Sequence, residues 1–209
     1  MTAQTGTDRT FVEMRAAPRF SLMLRAAKLL GESGEYVCVV RDVSETGVKL
    51  RLFHDAPPED YFLLELGNGE RFPMELVWAA DGHAGFRFVT PIDVTRFIAE
   101  PTDHQRRSLR LRIAGPADVH AAGLDMAAML VNLSQQGACV ELGYQLAPRQ
   151  QVRLDIPGLP PRVGHVRWRK GFAHGLVFQQ SWKLDEFAGY ALQLQPFARP
   201  ESGSVLRRA

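Results

Sequence analysis

Asp42-Val43-Ser44-Glu45-Thr46-Gly47 and Asn132-Leu133-Ser134-Gln135-Gln136-Gly137 stand 90 positions apart in a chain of 209 residues. Both are written [Asp/Asn]-x-Ser-x-x-Gly. From 13 Asp and Asn, 8 Ser and 18 Gly, such a match is expected about 0.04 times by chance, so two matches mark an internal repeat. The separation persists outward from the motif. Trp78 and Trp168, Gly85 and Gly175, and Phe88 and Phe178 keep it, while Arg15-x-x-x-Arg19 and Arg106-x-x-x-Arg110 are 91 apart. A single-residue gap therefore aligns the two halves along their length.

Each half reads as β structure. Gly47 to Leu52 and Gln151 to Ile156 alternate apolar with polar residues, as a strand with one buried face must. Tyr36 to Val40 and Met129 to Val131 are continuous apolar runs, which predicts strands covered on both sides. Turn signals punctuate them at Gly31 to Gly34, Gly67-Asn68-Gly69, Asp81-Gly82 and Pro157-Gly158. Helical pattern is confined to Pro91 to Glu100 and Trp182 to Leu194, each following a Gly-x-x-Phe strand. The expectation is a mainly all-β chain of two tandem small barrels, each followed by a short helix. The expected boundaries are a flexible N-terminal tail over 1–11, domains over 12–100 and 101–196, and a flexible C-terminal tail over 197–209. Trp78 and Trp168, repeated inside strands, are expected in the barrel cores rather than as stacking platforms.

Composition narrows the function. At 45% hydrophobic and 23% charged residues the chain is of the folded globular kind, and no apolar run approaches the roughly 18 residues of a membrane span. The N-terminus lacks the basic and apolar regions of an export signal, so a cytoplasmic location is expected, without membrane insertion. Cys38 and Cys139 stand alone without metal-ligand spacing and read as reduced, buried thiols. His54, His83, His104, His120, His165 and His174 show no HxH or HExxH pattern, so no metal site is expected. The net charge of +2 hides an asymmetry: residues 1–100 carry 11 Lys and Arg against 15 Asp and Glu, and residues 101–209 carry 14 against 8. With no run of five or six like charges, a duplex DNA footprint is not expected. No GxSxG, phosphate-loop or Cys/His pattern appears, which argues against an enzyme. Arg167-Trp168-Arg169-Lys170-Gly171-Phe172 interleaves aromatic and basic residues in the manner of single-strand nucleic-acid binders, yet it reads more simply as a strand running into a turn.

Paired basic residues four apart, followed some 25 residues later by the Asp/Asn-Ser-Gly element, resemble the PilZ domain family. These are six-stranded β-barrels that bind the bacterial second messenger cyclic di-GMP through RxxxR and [D/N]xSxxG motifs. Both motifs are complete in both halves, and the resemblance covers about residues 12 to 196. It implies ligand sites at Arg15, Arg19, Asp42, Ser44 and Gly47 in the first copy, and at Arg106, Arg110, Asn132, Ser134 and Gly137 in the second. Arg107 would add to the second, since the family often has extra arginines beside the motif. The first copy departs from the pattern at Met14, where a further basic residue often stands. The implied function is a receptor with cyclic di-GMP as ligand and no cofactor, which alters its interdomain arrangement to regulate a downstream partner in motility, exopolysaccharide or biofilm output. The alternative is a ligand-independent adaptor docking a flagellar, pilus or synthase component. The resemblance names neither the protein partner nor the oligomeric state.

The residue chemistry points the same way. Cyclic di-GMP presents two phosphates and two guanines, and arginine forks onto phosphate and onto the O6/N7 edge of guanine. Asp42 can accept from the N1–H and N2–H₂ edge, Ser44 can add a hydroxyl, and Gly47 permits a tight turn and close approach of backbone to ligand. Asn132 offers one neutral acceptor where Asp42 offers two anionic ones, so the copies are not equivalent. Read without the family, Asp42-x-Ser-x-x-Gly47 could also be an ordinary side-chain-closed turn with glycine at positive φ.

Overall fold

A computed structural model of the chain describes residues 20–101 and 108–195. Arg15, Arg19, Arg106 and Arg107 lie outside the described residues, as do the expected terminal tails. The first half forms β1 (Phe20–Gly31), β2 (Gly34–Val43), β3 (Gly47–Leu52), β4 (Tyr61–Glu65), β5 (Arg71–Ala80), β6 (His83–Phe88) and α1 (Val94–Ala99). Its six strands close into a barrel in the order β1-β2-β3-β6-β5-β4. The second half forms β7 (Arg110–Leu111), β8 (Gly115–Ala121), β9 (Leu124–Ser134), β10 (Gly137–Leu142), β11 (Gln151–Asp155), β12 (Arg162–Lys170), β13 (Ala173–Phe178) and α2 (Leu184–Gln193). Here too six antiparallel strands close, β10-β13-β12-β11-β8-β9, through the β9–β10 pairing, and the short β7 adds to the end of β9.

Alternation decides which residues fill each barrel. Leu29, Leu50, Leu64 and Met74 are fully buried in the first, and Leu130, Leu133, Val140 and Val166 in the second. The helices plug one end of each. Phe97 packs with Phe72 and Phe88 beneath α1, and Phe187 packs against Trp182 beneath α2. Asp93 caps α1 by accepting from the Arg96 N–H. Arg25 anchors the other end, donating to the carbonyls of Phe97 and Ile98 and pairing with the buried Glu100 at 3.1 Å.

The two apolar runs meet different fates. In β2, Tyr36, Cys38 and Val40 join the core of the first barrel, while Val37 packs into the core cluster of the second half. That strand is covered on both sides because the second half packs on it. Met129 is 49% exposed, so the run from Met129 to Val131 is not covered twice, and only Leu130 is buried there. Among the described residues no second packing partner lies over that part of β9.

The contact between the halves is specific. Gln195, just beyond α2, accepts from the Glu35 N–H at 2.7 Å and donates to the Glu35 carbonyl at 2.8 Å. The Glu35 carboxylate in turn accepts from the backbone N–H of Arg112 at 2.9 Å and faces Lys28 at 3.5 Å. No described helix is long and apolar enough to cross a membrane.

Candidate functional site

The [Asp/Asn]-x-Ser-x-x-Gly elements are the turns from β2 to β3 and from β9 to β10. In the first, the Ser44 N–H donates to the Gly47 carbonyl at 2.8 Å, and the Ser44 hydroxyl both donates to that carbonyl and accepts from the Gly47 N–H, each at 3.2 Å. In the second, the Ser134 hydroxyl donates to the Gly137 carbonyl at 3.0 Å. Ser134 is 1% exposed, so its side chain belongs to the turn. The glycines are needed for a reason other than positive φ. Neither Gly47 nor Gly137 has one, but a Cβ at Gly47 would strike the Phe86 carbonyl, and one at Gly137 the Leu176 carbonyl. The neighbouring strand approaches too closely for a side chain.

Strand register gathers the separate sequence signals into one line. Asp42 pairs with Lys49, Lys49 with Gly85, and Gly85 with Trp78, so these four residues form a lateral row across β2, β3, β6 and β5. The same row in the second barrel reads Asn132, Cys139, Gly175, Trp168. At 4.7–4.9 Å per strand, three steps span about 14 Å.

The tryptophans are not in the cores. Trp78 is 42% exposed and Trp168 41%, contrary to the expectation from their place in strands. In each barrel a bulge just before the tryptophan turns its side chain outward. The indole lies over the cross-strand glycine: a Cβ at Gly85 or Gly175 would collide with Nε1 of Trp78 or Trp168. The conserved spacing of Trp and Gly within the chain is thus a cross-strand aromatic–glycine pair, and the repetition of both was the signal available in sequence. Lys49 also escaped the sequence reading; its Nζ lies 6.0 Å from the Trp78 ring centre. A depression of about 190 Å³ follows this row, lined by Asp42, Ser44, Gly47, Lys49, Trp78 and Gly85 among others.

Of the arginines, Arg110 is described. It pairs with Ser134 in the β7–β9 ladder, and its Nη1 donates to Asn132 Oδ1 at 3.3 Å. The end of the RxxxR element therefore lies against the Asn-Ser-Gly turn. Burial pushes the Cys139 thiol above its ordinary value, an effect that nearby Arg110 partly offsets. Both cysteines are free and buried. His174 is fully buried between two loops, its Nε2 accepting from the Leu146 N–H and its Nδ1 donating to the Phe172 carbonyl, a structural arrangement. Among the described residues no group of three or more His, Cys, Asp or Glu is placed to hold a metal ion.

Two small barrels, each with a Trp-Gly-basic or Trp-Gly-thiol row ending at an Asp/Asn-Ser-Gly turn, make a tandem of one module. The PilZ domain profile matches residues 13–99 and again 104–186, and the chain belongs to the PilZ domain family. No curated protein matches its sequence. Among solved structures it is similar to the PlzA protein of Borreliella burgdorferi in complex with c-di-GMP, at 13% identity over 82% of this chain and 86% of that one, with a TM-score of 0.34. It is also similar to the Bacillus subtilis inhibitor of motility MotI/DgrA, at 13% identity over 82% and 97%, with a TM-score of 0.35. YcgR of Escherichia coli, in complex with c-di-GMP, matches at 12% identity over 81% and 80%, with a TM-score of 0.28. Each of these likenesses is distant.

Proposed function

We propose that the chain is a cyclic di-GMP receptor with one site on each barrel and no catalytic step of its own. The observation that carries this reading is the meeting of Arg110 with Asn132 at the end of a row that also holds an exposed indole. A guanidinium there can fork onto phosphate or onto the acceptor edge of guanine, and the Asp42 carboxylate or Asn132 amide oxygen can take the guanine donor edge. The Trp78 and Trp168 rings offer a face for a base to stack on. Ser44 and Ser134 hold the turn in shape, and Gly47 and Gly137 let it close against the next strand. By the sequence repeat Arg15, Arg19 and Arg106 complete the two sites, and by the family resemblance Arg107 adds to the second.

The tryptophans provide a direct test. Trp78 and Trp168 are exposed at the sites, whereas Trp182 is buried and serves as an internal constant. Cyclic di-GMP should quench the emission saturably, and Trp78→Phe with Trp168→Phe should remove the response. Unchanged emission at saturating ligand would contradict the placement.

The output we infer is a change in how the barrels face one another. Arg112, whose N–H is bonded to Glu35 of the first barrel, lies two residues beyond Arg110. A ligand that draws Arg110 toward itself therefore pulls on the interdomain contact, with a shift bounded by its differential affinity for the two arrangements. Solution scattering should change on adding ligand to the wild type. Superimposable profiles in the two states would overturn this output while leaving binding intact.

A further inference from the structure

The two copies differ most at the plug beneath the helix. In the second barrel Trp182 is 2% exposed, with its ring 5.0 Å from Phe178 and stacked on Phe187 at 6.4 Å, and the Arg162 guanidinium lies 4.8 Å from its centre. Among the described residues its Nε1 finds no hydrogen-bond partner, and shape and the cation over its face hold it there. The position is defined by the backbone: the Trp182 N–H donates to the Gln135 carbonyl.

In the first barrel the same bond runs from the Ile92 N–H to the Glu45 carbonyl, so Ile92 stands where Trp182 does. The floor is kept, as Phe88 and Phe97 replace Phe178 and Phe187. Phe72 takes the place of Arg162 and forms a wall, 5.1 Å from Phe97. The much smaller Ile92 leaves the rest open as a pocket of about 260 Å³ between these aromatics. Guanidinium groups stand at its rim: Arg71, held by Glu65 at 2.7 Å, and Arg96, held by Glu70 at 2.9 Å. The volume is below the roughly 300 Å³ at which small-molecule sites begin, and suits one aromatic side chain.

We propose that this pocket is a docking site for an aromatic side chain, tryptophan foremost, carried on an exposed segment of a protein partner. The occupant is specified by the second copy, which fills the equivalent space with its own indole under a guanidinium. The site is preformed, since the Phe88 and Ile92 N–H groups pin its wall to the Thr46 and Glu45 carbonyls, so little ordering is required on binding. It lies behind the Asp42-to-Gly47 turn and does not depend on the ligand reading of that turn.

The test is a titration of the full chain with N-acetyl-5-fluoro-tryptophanamide, followed by fluorine and protein NMR, with free 5-fluoroindole as a second arm. Saturable binding in the range of about 1 to 10 mM is expected for the capped amino acid. Chemical-shift changes should centre on Phe72, Ile92 and Phe97. Ile92→Trp should weaken binding at least tenfold and place the new indole out of reach of acrylamide. No saturable binding to the wild type, or shift changes centred elsewhere, would overturn the proposal whatever the variant does. Binding of free indole without the capped amino acid would also overturn it, because a ring borne on a peptide would then not fit. Equal binding to a folded Ile92→Trp variant would do the same.

Discussion

Arg110 Nη1 donates to Asn132 Oδ1 at 3.3 Å, joining the last residue of one sequence motif to the first of another 22 positions on. In the second barrel the acceptor is a neutral amide, and an Asn132→Asp substitution turns this into a charge-assisted pair. We expect Asn132→Asp to bring the second site's selectivity for guanine over adenine dinucleotides closer to that of the first. Parallel titrations with cyclic di-GMP and cyclic di-AMP check it, and an unchanged ratio would mean that the Asp/Asn difference has no consequence here.

Gly85→Ala and Gly175→Ala should each displace an indole that lies where the new methyl must go. Overpacking of this kind costs about 1–3 kcal/mol. Denaturant unfolding measures the loss, and a red-shifted emission would report the displaced ring. If either variant is as stable as the wild type with unchanged emission, the cross-strand pairing described for it is wrong.

Arg25→Ala removes the anchor of the α1 C-terminus and takes the cation from Glu100, which is 3% exposed and keeps the Asn68 N–H as a donor at 3.1 Å. Breaking a buried pair from one side costs about 3–5 kcal/mol, and the partial exposure of Arg25 puts the expectation at the lower end. Thermal unfolding should show the loss, and Arg25→Lys should recover only part of it, because a lysine has no fork to span two carbonyls and a carboxylate.

His120 ties the β8–β9 hairpin to β11, with Nδ1 at 2.5 Å from Asp125 and Nε2 at 3.0 Å from Asp155. The hydrogen bond to Asp125 raises its pKa above the ordinary value. The folded value being the higher, this contribution to stability is complete below the unfolded pKa and is lost as pH rises through the folded one. The thermal midpoint should therefore fall more for the wild type than for His120→Gln on going from about pH 5.5 to pH 8.5. Parallel curves would show that the imidazolium contributes nothing.

Much of this molecule was legible in its sequence for local reasons. The repeat at 90 residues, the alternation in Gly47 to Leu52 and Gln151 to Ile156, and the two helical segments reflect periods of two and 3.6 that any strand or helix must show. Both helices form inside the expected limits, as Val94–Ala99 and Leu184–Gln193. What failed depended on neighbours distant in sequence. A strand tryptophan reads as core unless the bulge that turns it outward is known, and the reason for Gly85 is an indole on the adjacent strand. The exposure of Met129 and the double burial of Tyr36 to Val40 were likewise decided by whether the other half packs over the strand. The serines of the two Asp/Asn-Ser-Gly elements do close their turns, as the alternative reading of the first element had it, but the glycine answers to a carbonyl of the next strand rather than to positive φ.

Whether both rows are cyclic di-GMP sites is decided by isothermal titration of the full chain, using wild type, Arg19→Ala and Arg110→Ala, with GTP and cyclic di-AMP as controls. Truncating a desolvated arginine that meets phosphate costs roughly 2–5 kcal/mol, about 30-fold to several thousandfold in affinity. We expect saturable heat specific for the guanine dinucleotide, with stoichiometry falling when either arginine is removed. An absence of binding heat and of thermal stabilisation at high ligand, or a loss of less than threefold in both variants, would contradict it and leave the paired motifs as structural turns.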